Sequence, residues 1–475
     1  MRCARIAAIA SWAALVCGCA GPAPLRPSAD VPAAFEHAAP GSGSWPGQEW
    51  YRDFGSEELS ALVDLAVRNN TDLAAAQARV AQADAQARQA GAAILPSAAG
   101  SAGANYLAGR SPDGGGHELD WAVMLSASYE VSFWGKQRAA ARAALLHADA
   151  SRADRDTVAL TMLAGVADQY FQVLALRERL AIARANLDAA EKIRAAVQAR
   201  FAAGGASQVE VAAQRMAVDA GQIAIADLAQ LEQQARAALA VLLGRIPENF
   251  VVRGDSLDSL QEPAVAPGLP AELLRRRPDV ALAEANLRSA SANVAAARAA
   301  MFPSLALTAE AGVQNPALPA TVLTIPGAGP SLALSANLTQ PIFDHGRLRA
   351  QRDEALAREQ ELLAAYRAAI VAALVDVERA LAALEQLAAV REAEAGNLAE
   401  SERAFAGAQA RYQVGSGDFL TLQESQRALF AARDQFAQYR LARLQALVAL
   451  CKALGGGWST AARPETSTAA SSGGG

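Results

Sequence analysis

Histidine side chains are the most direct sign of metal or acid–base chemistry, because imidazole is both a metal ligand and a proton carrier near neutral pH. This chain has four, His37, His117, His147 and His345, and no two are spaced as a metal-binding pair. It also lacks a nucleophile elbow, a phosphate-binding loop and a dinucleotide fingerprint. The sequence therefore predicts no catalytic residues, no metal site and no cofactor, and a protein that is not an enzyme.

The cysteines point to a different chemistry, the attachment of lipid. Arg2 and Arg5 precede an apolar run from Ile6 to Val16, the pattern of a secretory signal that is too short to span a bilayer. The run ends at Val16-Cys17-Gly18-Cys19, which resembles a bacterial lipobox. The resemblance implies a signal peptide of residues 1–18 and covalent diacylglycerol and palmitate on Cys19. An ordinary secretory signal with a chance cysteine is the alternative.

Cleavage at this site would remove Cys3 and Cys17. With Cys19 acylated, Cys451 has no partner within the chain for a disulfide, so the exported protein must be stabilised by packing. Cys451 lies on an apolar helical seam, and we expect it to be a small buried core residue.

The composition favours closely packed helices. Of 475 residues, 52% are hydrophobic but only 5% are aromatic, so alanine and leucine supply most of the apolar surface. The net charge is −5 and no long basic tract is present, which argues against nucleic acid as a partner. The one basic cluster, Arg275-Arg276-Arg277, is expected to be a solvated helix start.

Two long helical hairpins are predicted, at 135–243 and 346–455. In the second, apolar or small residues recur at coiled-coil spacing, at Leu363, Tyr366, Ile370, Leu374, Val377, Leu381 and Leu384. Helices of this length must pack along other long helices. The hairpins are expected to turn at glycines, Gly204 and Gly205 in the first and Gly415 and Gly417 in the second, because glycine adopts positive φ freely.

Two segments, 97–131 and 304–339, have the period of β-strands instead. From Leu119 to Val131, apolar and polar residues alternate, which predicts a strand with one apolar and one polar face. Ser97–Tyr106 is the candidate partner strand, and the glycine-rich Ser111–Gly116 is the candidate loop between them.

The chain is predicted to contain an internal duplication. Pro303 follows Pro96 by 207 residues, while Gly415 follows Gly204 by 211 residues, and similar neighbours surround each pair. The expected organisation is a lipid-anchored tether (19–47), a first repeat (48–247), a linker (248–270), a second repeat (271–457) and a disordered tail (458–475). Short helices open each repeat, entered at Ser56 and at Thr71 or Asp72 in the first.

Four amphipathic strands are too few to close a barrel, and their unpaired edges could not lie in lipid. Together with an export signal, strands of about ten residues indicate that several chains share one transmembrane barrel. The polar alternate positions would then line a watery lumen. The alternative is a soluble sandwich beside a coiled coil, which leaves the long helices and the lipobox unexplained.

These features resemble the outer-membrane efflux proteins of the TolC superfamily, in the lipoprotein branch that serves resistance-nodulation-division (RND) pumps. The resemblance rests on the lipobox, the duplicated plan, Leu95-Pro96-Ser97, Pro278-Asp279-Val280 and the stretch from Arg411 to Leu422. It implies an α+β membrane protein, in which a long α-helical coiled-coil barrel joins a trimeric 12-stranded transmembrane β-barrel with four strands per chain. Such a protein would reside in outer-membrane lipid and extend into the periplasm.

The resemblance also implies a function, an exit duct that passively conducts small molecules for a tripartite pump. The turns at Gly204, Gly205, Gly415 and Gly417 would meet a periplasmic adaptor protein, itself coupled to an inner-membrane RND pump. A type I secretion duct for polypeptides and a lipid-anchored periplasmic coiled-coil scaffold are the alternatives.

A periplasmic gate is implied at the second turn. The positions that match the family's constriction are Asp418, Leu420 and Glu424. Three copies around an axis would form rings of like charge, which attract cations. Asp418 is equally well placed to cap the helix that follows it.

Overall fold

The computed structural model describes residues 32–37, 44–111, 114–318 and 329–456. The signal peptide, Cys19 and the tail at 458–475 lie outside the described residues. In chain order, the helices and strands are α1 (Glu57–Asn69), α2 (Thr71–Ala92), β1 (Ser97–Ser111), β2 (Gly114–Val131), α3 (Lys136–Ala202), α4 (Gln208–Leu242), α5 (Pro270–Arg276), α6 (Pro278–Ala299), β3 (Ser304–Leu318), β4 (Gly329–Thr339), α7 (Arg347–Gln413) and α8 (Phe419–Ala453). Short 3-10 helices lie at Trp50–Phe54 and Pro247–Asn249.

The two longest helices, α3 and α7, each have 67 residues and are therefore about 100 Å long at 1.5 Å per residue. The helices that follow them, α4 and α8, have 35 residues each. Equal lengths in the two halves are what a duplication produces.

Polar side chains fix where the helices begin. Ser56 Oγ accepts the backbone N–H of Leu59 at 3.1 Å, as the sequence predicted. The expectation that Thr71 or Asp72 caps α2 is wrong, because the backbone N–H of Leu73 is bound by the side chain of Asn70 at 2.9 Å. At α4, Ser207 and Glu210 form a reciprocal capping box.

The chain divides into two compact units. The described part of the first unit comprises Arg79–Arg152 and Leu282–Arg367, and it contains the β-sheet. Its four strands are antiparallel in the order β1-β2-β3-β4. The register aligns polar with polar side chains across all four strands, in the row Ser97, Ser128, Thr308 and Ser335. One residue further along, Tyr129 pairs with Leu307 and Leu307 pairs with Ala336, on the opposite, apolar face. The first hairpin loop is shorter than predicted, since β1 runs to Ser111 and β2 resumes at Gly114.

The second unit comprises Ala29–Ala78, Ala153–Ala281 and Ala368–Gly475. Its larger apolar cluster, here the main cluster, joins the aromatic residues Trp50, Phe54 and Phe171 to leucines of α1, α3, α4 and α8. Cys451 belongs to it with 1% exposure, in agreement with the sequence prediction. Among the described residues, α3 also contains an apolar window long enough to cross a membrane, but half of that window is buried within the chain.

The segment expected to be a linker is packed against the helices. Val252 and Leu257 are buried in the main cluster. The Glu58 carboxylate accepts the backbone N–H groups of Arg253 and Gly254, at 2.5 and 3.0 Å. Buried side chains and hydrogen bonds therefore hold this segment against the helices of the second unit.

Corresponding contacts in the two repeats secure the ends of α4 and α8. Asn70 Nδ2 donates to the carbonyl of Leu242 at 2.8 Å, at the end of α4. In the second repeat, Arg277 Nη1 donates to the carbonyl of Ala453 at 3.1 Å, at the end of α8. The expectation that the basic cluster is solvated is wrong for Arg277, whose side chain is buried and paired with Asp279 and Asp376.

Candidate functional site

The candidate site is the pair of helical turns that link α3 to α4 and α7 to α8. Gly204 and Gly415 have almost the same left-handed backbone, with φ of 77° and 78°. The expectation of positive φ is wrong for Gly205 and for Gly417. A Cβ atom at Gly417 would lie 3.0 Å from both Arg411 Cβ and the backbone nitrogen of Tyr412, so close packing favours glycine at position 417.

Arg200 connects the two turns. Its Nη1 donates to the backbone carbonyl of Tyr412 at 3.1 Å, and its guanidinium lies 4.5 Å from the centre of the Tyr412 ring. Arg200 was not singled out as a contact residue from the sequence. The signal that could have identified it is its matching position to Arg411 in the duplicated turns.

A small apolar cluster, here the tip cluster, lies next to the turns. It consists of Ile193, Val197, Val211, Ala408, Tyr412 and Leu422, one or two residues from each of the four long helices. Because the turns pack on this cluster, they form one structured end of the second unit.

Asp418 is the N-cap of α8. Its Oδ1 accepts the backbone N–H of Thr421 at 2.8 Å, and its Oδ2 accepts the Thr421 hydroxyl at 2.7 Å. These hydrogen bonds, with the backbone bond first in importance, hold the pKa of Asp418 below its ordinary value. Asp418 is therefore ionised throughout the neutral range, whether or not it has a second role.

Leu420 and Glu424 lie on the first two turns of α8, and both side chains are exposed, Leu420 with 63% of its surface. Their spacing of four places them on one face of the helix. An exposed leucine beside an exposed carboxylate is the arrangement that a ring of three copies could use to narrow a passage. Among the described residues, no group of three or more metal-ligating side chains lies together.

The family model described as outer membrane efflux protein matches the chain twice, over residues 62–245 and 269–456. The chain belongs to the outer membrane efflux protein family. The two matches include both helical hairpins and all four strands, and they leave out the described residues before position 62 and the segment 246–268.

Individual relatives agree with this assignment. The pyoverdine export outer membrane protein OpmQ of Pseudomonas aeruginosa is 44% identical over 460 residues, covering 94% of this chain and 96% of OpmQ. The probable outer membrane lipoprotein SilC of Salmonella typhimurium is 30% identical over 377 residues, covering 78% and 80%.

A solved structure gives the same result for the fold. The open-state MtrE outer membrane channel of Neisseria gonorrhoeae matches with a TM-score of 0.83 and 31% identity, covering 92% of this chain and 98% of that one. The predicted α+β channel fold is thus confirmed. The protein is an outer-membrane exit duct of an efflux system.

Proposed function

We propose that the chain forms a homotrimeric duct that passively conducts small molecules out of the periplasm for a tripartite RND-type pump. The observation that carries the proposal is the four-stranded sheet, in which β1 and β4 are each paired on one side only within the described residues. Backbone N–H and C=O groups at such edges need partners in lipid. Three copies would pair β4 of one chain with β1 of the next and close a barrel.

The side-chain pattern supports the same assembly. Val123, Leu125, Leu334 and Leu338 are exposed apolar side chains of the sheet, which lipid would cover. The polar row that includes Ser128 and Thr308 would line the lumen. Single-channel conductance, measured with native mass, tests the duct; a monomer without conductance would contradict it.

The gate at Asp418, Leu420 and Glu424 is part of the proposal. Its test must separate charge from capping, and asparagine does so because it caps helices as well as aspartate while carrying no charge. We expect Asp418→Asn and Glu424→Ala to raise the conductance of the trimer and weaken its preference for cations. Wild-type conductance in Asp418→Asn, with a change only in Asp418→Ala, would leave Asp418 as a cap alone.

Lipidation of Cys19 is the proposed anchor, supported by the likeness to SilC, a relative named as a probable lipoprotein. Replacing Cys19 with alanine should abolish incorporation of labelled palmitate and leave the native mass of the polypeptide trimer unchanged. Label retained on the Cys19→Ala variant would contradict the lipobox.

The proposed partners are a periplasmic adaptor, at the turns of Gly204, Gly205, Gly415 and Gly417, and an inner-membrane pump. Cysteines placed at Val209 and Val414, both largely exposed beside these turns, should crosslink to the adaptor in cells. Since OpmQ is named for pyoverdine export, pyoverdine is the first compound to test. Export of a polypeptide but of no small molecule would favour the secretion duct instead.

A further inference from the structure

The four long helices hold two separate apolar clusters in the second unit. The tip cluster, already defined, adjoins the turns. The main cluster begins further from the turns, where its first contributors in each long helix are Ala183 and Leu180 in α3, Ile225 and Leu228 in α4, Leu384 in α7 and Leu441 and Leu444 in α8. In each long helix, a segment between the two clusters has at least one buried side chain that belongs to neither cluster.

That stretch contains one buried polar residue in each helix. They are Asn186 in α3, Gln214 in α4, Ser401 in α7 and Gln426 in α8. Glutamine is seldom buried, yet Gln214 is 0% exposed and Gln426 is 2% exposed. Gln214 lies ten residues after Gly204 and Gln426 eleven residues after Gly415, so these two lie at about the same distance from the turns and are here called the polar layer.

The polar layer is incompletely hydrogen-bonded. Gln214 Nε2 donates to the carbonyl of Ala190 at 2.9 Å, but Gln214 Oε1 has no partner among the described residues. Gln426 has none for either Oε1 or Nε2. Buried groups without partners destabilise a fold by more than satisfied ones stabilise it, and ordered water is their usual partner in proteins.

Helix packing alone does not require glutamine here. One turn further along each helix, the buried positions are apolar, Val218 in α4 and Leu429 in α8. Leucine is close to glutamine in volume and would extend the apolar buried face from the tip cluster toward Val218 and Leu429. The glutamines thus interrupt the apolar buried face of α4 and α8 next to the tip cluster.

We propose that Gln214 and Gln426 form a water-binding layer that lets the tip of the four helices open locally while the main cluster stays folded. Proteins open in units bounded by weak packing, and a layer of incompletely paired polar groups is such a boundary. The inference concerns mobility within the bundle and does not depend on the proposed gate or its charges.

Hydrogen exchange of the full-length protein in detergent, followed by mass spectrometry, tests this inference. Variants Gln214→Leu, Gln426→Leu and their double are compared with the wild type. Gln222→Leu, an exposed glutamine of α4, is the matched control. We expect the double variant to slow exchange at least tenfold in peptides of the tip, 190–201 and 405–422, without change in peptides of the main cluster, 166–176.

Each other outcome would overturn the inference. Tip exchange equal to that of the Gln222→Leu control would show that the glutamines do not limit tip stability. Faster exchange, or loss of the native mass in either single variant with the control intact, would show that the glutamines are fully bonded and hold the tip together.

Discussion

Removal of the Arg277 side chain should release the end of α8 from the start of α6. The guanidinium makes a two-pronged contact with Asp279, at 3.0 and 2.7 Å, a further contact with Asp376 at 3.0 Å, and a bond to the carbonyl of Ala453 at 3.1 Å. The variant Arg277→Met keeps most of the side-chain volume and removes these four hydrogen bonds, together with a long one to the carbonyl of Ala373 at 3.5 Å.

The loss can be estimated from these contacts. Hydrogen bonds to charged groups contribute about 1.5–3 kcal/mol each when buried. Asp279 and Asp376 are 32% and 46% exposed, so both carboxylates regain water when Arg277 is removed, which reduces the loss. The bond to Ala453 is fully buried and its carbonyl is left without a donor. We therefore expect the variant to lose about 3 kcal/mol of local stability.

Hydrogen exchange measures this loss where it occurs. A change of about 3 kcal/mol corresponds to roughly a hundredfold lower protection in amides near the end of α8. Amides near the end of α4, which Asn70 holds, are the internal reference. Arg275→Met is the matched control, since Arg275 is exposed on α5, two residues before Arg277. If Arg277→Met and Arg275→Met show the same protection at the end of α8, the buried contacts of Arg277 do not stabilise that end, and the prediction is refuted.

Three further outcomes are expected. Gly244→Ala should destabilise the protein far more than Gly204→Ala: both have positive φ, but a Cβ at Gly244 would lie 2.2 Å from the Asn69 carbonyl oxygen, whereas nothing lies within 4 Å at Gly204. Thermal inactivation of the two variants measures the difference, and equal losses would contradict the predicted clash. Cys451 should resist alkylation at pH 8 until the protein unfolds, because burial raises the pKa of its thiol to about 12. A cysteine at the exposed position Ala449, in a Cys451→Ala background, is the reactive control, and equal labelling rates would contradict the assignment. The segment 32–37 should be held more firmly at pH 5.5 than at pH 8, because the hydrogen bond to Glu385 raises the pKa of His37, with smaller contributions from Glu36 and Glu378. A contact that favours the protonated imidazole is fully present below the unfolded pKa of about 6.5 and is lost as the pH rises through the raised value. Hydrogen exchange of this segment, corrected for intrinsic pH dependence, should show the change in the wild type and not in His37→Gln.

Periodicity and local capping were readable from the sequence. The long helices, the alternating strands and the duplication follow from side-chain spacing, which acts over a few residues at a time. Ser56 and Asp418 were recognised as caps because a cap binds a backbone group only three residues away. The turn glycines Gly204 and Gly415 were found for the same reason, since φ is a property of one residue.

Burial and long-range pairing were decided only by the tertiary structure. Arg277 looked like a solvated arginine because its partners Asp376 and Ala453 lie 99 and 176 residues further along the chain. The cap contact of Asn70 to Leu73 is local, but its contact to Leu242 is 172 residues away and could not be read from the sequence. Gln214 and Gln426 are ordinary helix residues in the sequence, and only the packing of four helices encloses them. Local spacing determines which elements form, while the free energy of burying a polar group depends on neighbours that distant parts of the chain supply.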